Sequence, residues 1–299
     1  MQAMILAAGF GTRLLPYTQL CPKPLFPLLN EPLLLLTVRR LQAAGFDHII
    51  VNCHYLREQI VSALDAIEGV TIQEEEMVLG TGGGLRMALS RMREEPLLVT
   101  NGDIYHTVDY QELYRGHDRR RGAVTMAMHD YPRFNTVTVQ GDRVIGFDGQ
   151  RSLDLLAFTG LHVLEPEILE RIPLALEYSI IDRYRQLLED GGRIQAWRVD
   201  GCSWTDMGTV ADYLALHGRL LEKKIPLWSE FSRPPATPFC IHDDVVQGEG
   251  IALRDWACVG RARLEKNVTL RRCVVWDGAR LKEGREYCDA LLIPETTAA

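Results

Sequence analysis

Several features typical of membrane-bound and nucleic-acid-binding proteins are missing from this sequence of 299 residues. No apolar run approaches the ~18 residues of a membrane-spanning helix, and the chain opens on a strand-like pattern rather than on a charged and then apolar leader. The formal net charge of −7 leaves no basic surplus for binding a polyanion. We therefore expect neither a membrane nor a nucleic acid as a partner.

Paired cysteines and paired histidines are also missing. The cysteine count of 7 is odd and no two form a Cys-x-x-Cys pair, which disfavours both a structural zinc site and a complete disulfide framework. No two histidines stand four residues apart, as they would in a helical metal site. We expect free thiols in a reducing compartment, and the cytoplasm as the location.

What is present is the composition of a soluble globular protein, with 46% hydrophobic and 24% charged residues. Short apolar runs alternate with longer helical patterns over the first two-thirds of the chain. This alternation predicts an α/β fold with a Rossmann-like, mostly parallel sheet and helices on both of its faces. The predicted strands are 3–8, 48–52, 70–73, 97–100, 123–129, 157–164 and 194–199, with a hairpin formed by 135–140 and 143–148. The predicted helices are 33–44, 56–67, 84–93, 110–120, 179–189 and 210–222.

The most informative segment follows the first predicted strand, which ends abruptly in Gly9 and Gly11. Two glycines let the backbone turn tightly and bring its N–H groups close to a ligand, because no Cβ stands in the way. Arg13 and Lys23 add two cations beside this turn. A glycine turn with an arginine and a lysine is suited to binding phosphate groups.

Two common phosphate-binding motifs do not match this segment. A P-loop needs four residues between its glycines and a lysine directly after the second glycine. A dinucleotide-binding motif needs a third glycine where Leu14 stands, and it also needs an acidic partner that is absent. A nicotinamide-dependent oxidoreductase is therefore disfavoured.

Four motifs, in order along the chain, resemble the signature of the sugar-1-phosphate nucleotidyltransferases. The first runs from Leu6 to Leu25 and differs from the family pattern by Ala8 in place of a glycine and Tyr17 in place of a leucine. The other three are Leu79-Gly-Thr-Gly-Gly-Gly84, Val99-Thr-Asn-Gly-Asp103 and Trp204-Thr-Asp-Met-Gly-Thr209. The resemblance covers about residues 1–222 and is nearest to the guanylyltransferases of mannose and heptose phosphates and the uridylyltransferases of muramic acid phosphate.

The resemblance implies transfer of a nucleotidyl group from a nucleoside triphosphate to a sugar 1-phosphate, with release of pyrophosphate. Both reactants are anions, so the reaction depends on cations and oriented amides more than on a base. A non-catalytic homologue that binds or senses nucleotide sugars is the alternative. The enzyme is favoured because Arg13, Lys23 and the two motif aspartates are all retained.

The resemblance assigns catalysis to Arg13, Lys23, Asp103 and Asp206. Arg13 would hold the β- and γ-phosphates, Lys23 would lie near the α-phosphate, and the two aspartates would bind Mg²⁺, which prefers oxygen ligands. From the residues alone, Asp103 also suits a turn and Asp206 a helix cap.

Further residues are assigned by the resemblance to the two substrates. The nucleotide-binding set is Leu6, Ala7, Ala8, Gly9, Gly11, Thr12, Arg13, Lys23, Thr81, Gly82 and Gly83. The sugar-binding set is Asn101, Gly160, Glu177 and Asp182. The run 81–84 would read the nucleobase, although it also suits a plain helix start. The lysine of a Glu-Lys-Pro segment found in many relatives is missing from 144–149, so the sugar stays open.

The last quarter of the chain has a different pattern. The predicted domains are a catalytic domain at 1–222, a linker at 223–238 with four prolines, and a C-terminal domain at 239–299. In the last of these, small or aliphatic residues recur at steps of six, which predicts parallel β coils like the left-handed β-helix of similar enzymes; irregular β structure is the alternative. So few coils leave an open end, and we expect them to pack onto the catalytic domain or onto another subunit in a homo-oligomer.

Overall fold

A computed structural model describes residues 1–118, 121–147, 149 and 154–295 of the chain. The helices are α1 Leu33–Ala43, α2 Arg57–Leu64, α3 Gly80–Ala88, α4 Tyr110–Gly116, α5 Ile180–Glu189 and α6 Val210–Leu221. The strands of the first two-thirds are β1 Gln2–Leu6, β2 Pro27–Leu28, β3 Glu31–Pro32, β4 His48–Cys53, β5 Val70–Glu74, β6 Leu97–Asn101, β7 Ile104–His106, β8 Val124–His129, β9 Val137–Gln140, β10 Arg143–Gly146, β11 Asp154–Leu164, β12 Ile194–Arg198 and β13 Trp204–Asp206. The C-terminal strands are β14 Phe239–Ile241, β15 Val246–Gln247, β16 Ala252–Val259, β17 Arg263–Leu264, β18 Thr269–Val275, β19 Arg280–Leu281, β20 Glu286–Cys288 and β21 Leu291–Leu292.

Most of the predicted elements are confirmed to within three residues at each end. The clearest difference is α3, which begins at Gly80 rather than at the predicted position 84. Its first turn consists largely of glycines, and glycine has a poor helix propensity, so local pattern indicates a loop there. Residues 119 and 120 of the predicted fourth helix, residue 148 of the predicted hairpin and residues 296–299 lie outside the described residues.

Packing divides the chain into two compact units. The first unit consists of Met1–Phe10 and Thr37–Trp204, and the second consists of Gly11–Leu36 and the chain from Thr205 onward. The predicted domain limits at 222 and 238 stay predictions. Among the helices of the described ranges, none is long and apolar enough to cross a lipid bilayer.

The first unit contains a nine-stranded sheet in the order β5-β4-β1-β6-β11-β8-β12-β10-β9. The α/β class is confirmed, but the prediction of a mostly parallel sheet is wrong. Strands β5, β4, β1 and β6 are parallel, whereas β11 runs antiparallel to both of its neighbours, β6 and β8. Strands β9 and β10 are also antiparallel. Antiparallel neighbours need no crossover helix between them, so the alternation of helices and strands does not reveal them.

The parallel strands end together at one edge of this sheet. Leu6, the last residue of β1, is aligned with Asn52 of β4 and with Asn101 of β6. Earlier in the same strands, Met4 and Val99 are fully buried in the core of the unit. Ligands of open α/β sheets bind beyond the carboxyl ends of parallel strands, where the chain emerges from the core.

The second unit contains most of the C-terminal strands, which form two parallel sheets, β14-β16-β18-β20 and β15-β17-β19. Ala252 pairs with Thr269, and Thr269 pairs with Glu286, so successive layers are related by a regular step along the chain. Val268 and other members of the six-residue pattern are buried in the core of these layers. The segment is rich in short parallel strands, and its left-handed β-helix stays a prediction.

Candidate functional site

Two cations and one carboxylate lie together in the second unit. Lys23 Nζ is 3.3 Å from Asp206 Oδ1, and Arg13 Nη2 is 3.6 Å from Asp206 Oδ2. The side chain of Lys23 is only 7% exposed, whereas that of Arg13 is 61% exposed. A buried ammonium group is costly unless an opposite charge accompanies it, so Asp206 stabilises Lys23 at this position. Arg13 keeps access to an anionic ligand.

Two short 3₁₀ turns hold the cations. Lys23 begins the turn Lys23–Leu25, and the N–H of Phe26 donates to the Lys23 carbonyl at 3.1 Å. Arg13 lies in the turn Thr12–Leu14, directly after Gly11. Gly11 has φ +63°, and a Cβ there would lie 2.8 Å from Thr18 Cγ2. Glycine is therefore required at 11 both by the backbone conformation and by the packing.

Gly208 is a further requirement of this cluster that the sequence analysis placed in a motif but not in the site. A Cβ at this position would lie 2.6 Å from Asp206 Oδ2 and 2.7 Å from Arg13 Nη1. A larger residue would therefore separate the carboxylate from the guanidinium. The signal available in the sequence was the position of this glycine two residues after the aspartate.

Helix α6 holds the backbone that follows Lys23. The hydroxyl of Tyr213 donates to the Pro27 carbonyl, and the N–H of Leu29 donates to His217 Nε2 at 3.3 Å. Burial lowers the pKa of His217 to about 4, so its ring is neutral at pH 7 and this nitrogen can accept. The position of Lys23 is thereby connected to a buried helix.

The remaining residues of the first motif lie in the first unit, at the end of β1. The N–H of Ala7 donates to Asn52 Oδ1 at 2.8 Å. The N–H of Gly102 donates to the Leu6 carbonyl at 2.9 Å, which brings the loop of Asp103 beside the end of β1. A Cβ on Gly9 would meet no described atom within 4 Å. The backbone at Gly9 is therefore open to a ligand, as a phosphate-binding amide must be.

A buried polar pair, Asn52 and Glu75, was not identified from the sequence. Asn52 Nδ2 donates to Glu75 Oε1 at 2.7 Å, and Glu75 Oε2 accepts from the N–H of Leu79 at 3.2 Å. The two residues are 2% and 1% exposed. Through Ala7 and Leu79, this pair connects the end of β1 to the glycine-rich start of α3. The available signal was a polar amide at the end of an otherwise apolar strand.

The glycines of α3 pack tightly within the first unit. The N–H groups of Gly82 and Gly83 donate to the Tyr178 carbonyl at 2.8 and 3.1 Å. Thr81 Oγ1 accepts from the N–H of Ile180 at 2.9 Å. These contacts hold the start of α3 against the segment that carries Glu177. The two glycine amides are occupied by the protein itself, and a role of 81–83 in reading the nucleobase stays a prediction.

Two of the four predicted sugar-binding residues are in contact. Gly160 lies in a bulge of β11 with φ +81°, and a Cβ there would lie 2.5 Å from Asn101 Nδ2. Glycine is needed both for this conformation and for the close approach. Glu177 is exposed beside the start of α3. Asp182 forms an ion pair of 2.6 Å with Arg185 of its own helix, and its side chain is 51% exposed.

The two predicted metal ligands offer carboxylate oxygens alone. Asp103 is partly buried after the end of β6, and each carboxylate oxygen of Asp206 faces a cation. Oxygen-only donors suit Mg²⁺. The surroundings of Asp206 favour positive charge, which a divalent ion also provides. The residues therefore fit a magnesium ion.

Known proteins resemble this chain along most of its length. The model of the family "Nucleotidyl transferase" matches residues 2–223. The chain is 30% identical over 295 residues to the mannose-1-phosphate guanylyltransferase of Mycobacterium tuberculosis, covering 94% of this chain and 81% of that relative. It is 29% identical over 252 residues to the UTP–glucose-1-phosphate uridylyltransferase of Synechocystis sp., covering 75% of this chain and 64% of that relative. The crystal structure of HddC from Yersinia pseudotuberculosis has the same fold, with a TM-score of 0.61 at 23% identity, over 72% of this chain and 97% of that one.

Proposed function

The chain belongs to the nucleotidyl transferase family, and we propose that it transfers a nucleotidyl group from a nucleoside triphosphate to a sugar 1-phosphate. The observation that carries this proposal is the cluster in which Lys23 and Arg13 share the carboxylate of Asp206. Two cations on one carboxylate leave an excess of positive charge at a turn of the chain. A reaction between two phosphate anions needs such an excess.

In the proposed reaction, an oxygen of the sugar phosphate attacks the α-phosphorus of the nucleotide. The new P–O bond forms as the bond to the departing pyrophosphate breaks. The exposed Arg13 is suited to bind the terminal phosphates and to stabilise the pyrophosphate as it leaves. The buried Lys23 is suited to the α-phosphate, because its position is restricted by packing. The sugar phosphate is already ionised at neutral pH, so no general base is required.

We propose Mg²⁺ as the cofactor, with Asp103 and Asp206 as its ligands. The oxygen-only donor set of these residues supports the choice, and water and phosphate oxygens would complete the coordination. When bound, the ion neutralises negative charge that develops on the phosphates.

We propose GTP and mannose 1-phosphate as the substrates to test first. The relative matched over 94% of this chain is a mannose-1-phosphate guanylyltransferase. UTP and glucose 1-phosphate are the second pair, because a uridylyltransferase matches over 75% of the chain. On the sugar side we propose Asn101 and Gly160, which are in contact at the bulge of β11.

We also propose that the C-terminal segment is a short left-handed β-helix, through whose open end the chain forms a homo-oligomer. Its parallel pairing with a regular step supports the proposal. A cytoplasmic location is proposed as well, and it is supported by the state of the seven cysteines, all of which are free thiols.

The experiment that tests the proposed function is a grid of pyrophosphate-release assays on the full chain. GTP, UTP, ATP and dTTP are each combined with mannose 1-phosphate or glucose 1-phosphate, with and without Mg²⁺. We expect turnover that requires both substrates and the metal. The variant Asp103→Asn should lower the rate by on the order of 10²-fold, whereas Asp109→Asn, which alters the cap of α4, should not.

Two outcomes of this grid would count against the enzyme. Pyrophosphate release by Asp103→Asn at the wild-type rate would remove Asp103 from the mechanism. Tight binding of a nucleotide sugar without turnover in any combination would favour the non-catalytic homologue instead.

A further inference from the structure

An aromatic cluster in the second unit joins the C-terminal strands to the two turns that carry Arg13 and Lys23. The cluster consists of Tyr17, Phe26, Tyr213 and Trp276. The ring centroids of Phe26 and Trp276 are 4.7 Å apart in an edge-to-face arrangement, and those of Tyr17 and Trp276 are 6.3 Å apart. Trp276 is only 6% exposed. It therefore lies between the two turns as a buried support.

Hydrogen bonds restrict the same residues. Trp276 Nε1–H donates to the Tyr213 hydroxyl at 3.2 Å, and that hydroxyl donates in turn to the Pro27 carbonyl. Pro27 directly follows Phe26, so both the ring of Phe26 and the next carbonyl are held. Packing and a hydrogen bond together leave this backbone little freedom.

The held backbone ends the turn of Lys23. The N–H of Phe26 donates to the Lys23 carbonyl at 3.1 Å, and Lys23 Nζ lies 3.3 Å from Asp206. On the other side of Trp276, Tyr17 begins the turn that follows that of Arg13. Tyr17 also donates a long hydrogen bond of 3.5 Å to the carbonyl of Leu291 in β21. Each cation-bearing turn thus has one aromatic residue in contact with Trp276.

We infer that Trp276 is a positioning residue for Arg13 and Lys23, so that the C-terminal strands form part of the phosphate-binding machinery. The inference rests on the proposed function, which assigns these two cations to the nucleotide phosphates. Trp276 acts through Phe26 and Tyr17 rather than by touching substrate. Displacing a binding group by about 1 Å can lower a rate by about 10²-fold, so such support has a measurable effect.

The test compares two tryptophans of the C-terminal strands. Trp276→Leu removes the ring from the aromatic cluster, and Trp276→Phe keeps a ring against Phe26. Trp256→Leu is the matched control, because Trp256 is also buried at 5% exposure but packs against Gly218 of α6. Each full-length variant is assayed for kcat and KM with GTP and mannose 1-phosphate, for GTP affinity by calorimetry, and for thermal stability.

We expect Trp276→Leu to weaken GTP binding and to lower kcat/KM by at least about tenfold. Trp276→Phe should stay within about threefold of wild type, because the edge-to-face contact is retained. Trp256→Leu should lose a similar amount of stability, yet keep its affinity and kcat/KM within about twofold. A stabilising role alone would move the two tryptophan-to-leucine variants together.

The affinity measurement separates this inference from the proposed function. If the wild type binds GTP but turns over no sugar phosphate, the proposed reaction fails, and the ratio of GTP affinities still decides the role of Trp276. Equal affinity losses in Trp276→Leu and Trp256→Leu, or no loss in the former, would overturn the inference. If Trp276→Leu does not fold, Phe26→Leu removes the other ring of the closest pair, and the same loss of affinity is expected from it.

Discussion

Two glycine-rich stretches of the chain, residues 9–11 and 80–84, look alike in sequence and differ in their surroundings. A Cβ on Gly9 would meet no described atom within 4 Å. A Cβ on Gly83 would lie 2.5 Å from the Leu176 carbonyl oxygen, and one on Gly84 would lie 2.8 Å from Glu75 Oε1. Glycine at the first stretch exposes backbone, whereas glycine at the second allows two segments to pack closely. A glycine motif therefore does not by itself identify a ligand-binding loop.

The cations show the same contrast. The first stretch leads directly into Arg13, and Lys23 follows within the same unit of packing as Arg13. The second stretch leads into a helix whose first amides are bonded to Tyr178. We conclude that the first stretch is the stronger candidate for phosphate binding, and that the second supports the fold around it. The following changes test this conclusion, from the largest expected effect to the smallest.

The largest effect is expected from Lys23→Met, which removes the buried cation that follows the first stretch. We expect kcat/KM to fall by about 10²- to 10³-fold, because charge stabilisation of the phosphates is lost. Steady-state pyrophosphate release measures it. The control is Lys224→Met, at an exposed lysine paired with Glu222, and wild-type activity in Lys23→Met would exclude Lys23 from the site.

The next effect is expected in the second stretch, from Gly83→Ala. The added methyl group meets a backbone carbonyl, so we expect the free energy of unfolding to fall by about 3 kcal/mol. Urea denaturation followed by circular dichroism measures the change. An unchanged midpoint would show that the backbone at 176 moves aside easily, and the contrast between the two stretches would then be lost.

A smaller loss is expected from Glu75→Gln, in the buried pair that connects the two stretches. Replacing Oε1 or Oε2 by an amide nitrogen leaves either Asn52 Nδ2 or the Leu79 N–H without its acceptor. We expect a loss of about 2 kcal/mol in the free energy of unfolding, together with a higher KM for the nucleotide. Glu76→Gln, at an exposed neighbouring carboxylate, is the control and should match wild type in both measurements.

The smallest effect is expected from Gly9→Ala, where the added methyl group points into open space. The free energy of unfolding should change by less than about 0.5 kcal/mol. GTP affinity should fall about tenfold, equivalent to about 1.4 kcal/mol, because the methyl group restricts the approach of phosphate. Calorimetric titration measures it against Gly201→Ala, another site with no atom within 4 Å. Equal affinities of the two variants would remove Gly9 from the binding surface.

Local pattern was sufficient for most elements and insufficient for their arrangement. Strand β4 and helix α1 begin at the predicted residues, because alternation and helical periodicity are properties of neighbouring residues. The reversed direction of β11 was missed, because strand pairing depends on segments that are far apart in the chain. The start of α3 was missed because its glycines are held in a helix by the carbonyl of Tyr178.

Residue types and short spacings established the phosphate-binding motif, the two cations and the resemblance to a family, since backbone freedom and charge are carried by the residues themselves. Folding established which of these residues meet. Lys23 and Asp206 are 183 positions apart, and Asn52 and Glu75 are 23 apart. Trp276 reaches Phe26 from the other end of the chain. Such contacts form because distant elements bury their apolar side chains together, and the polar groups are then held wherever that burial leaves them.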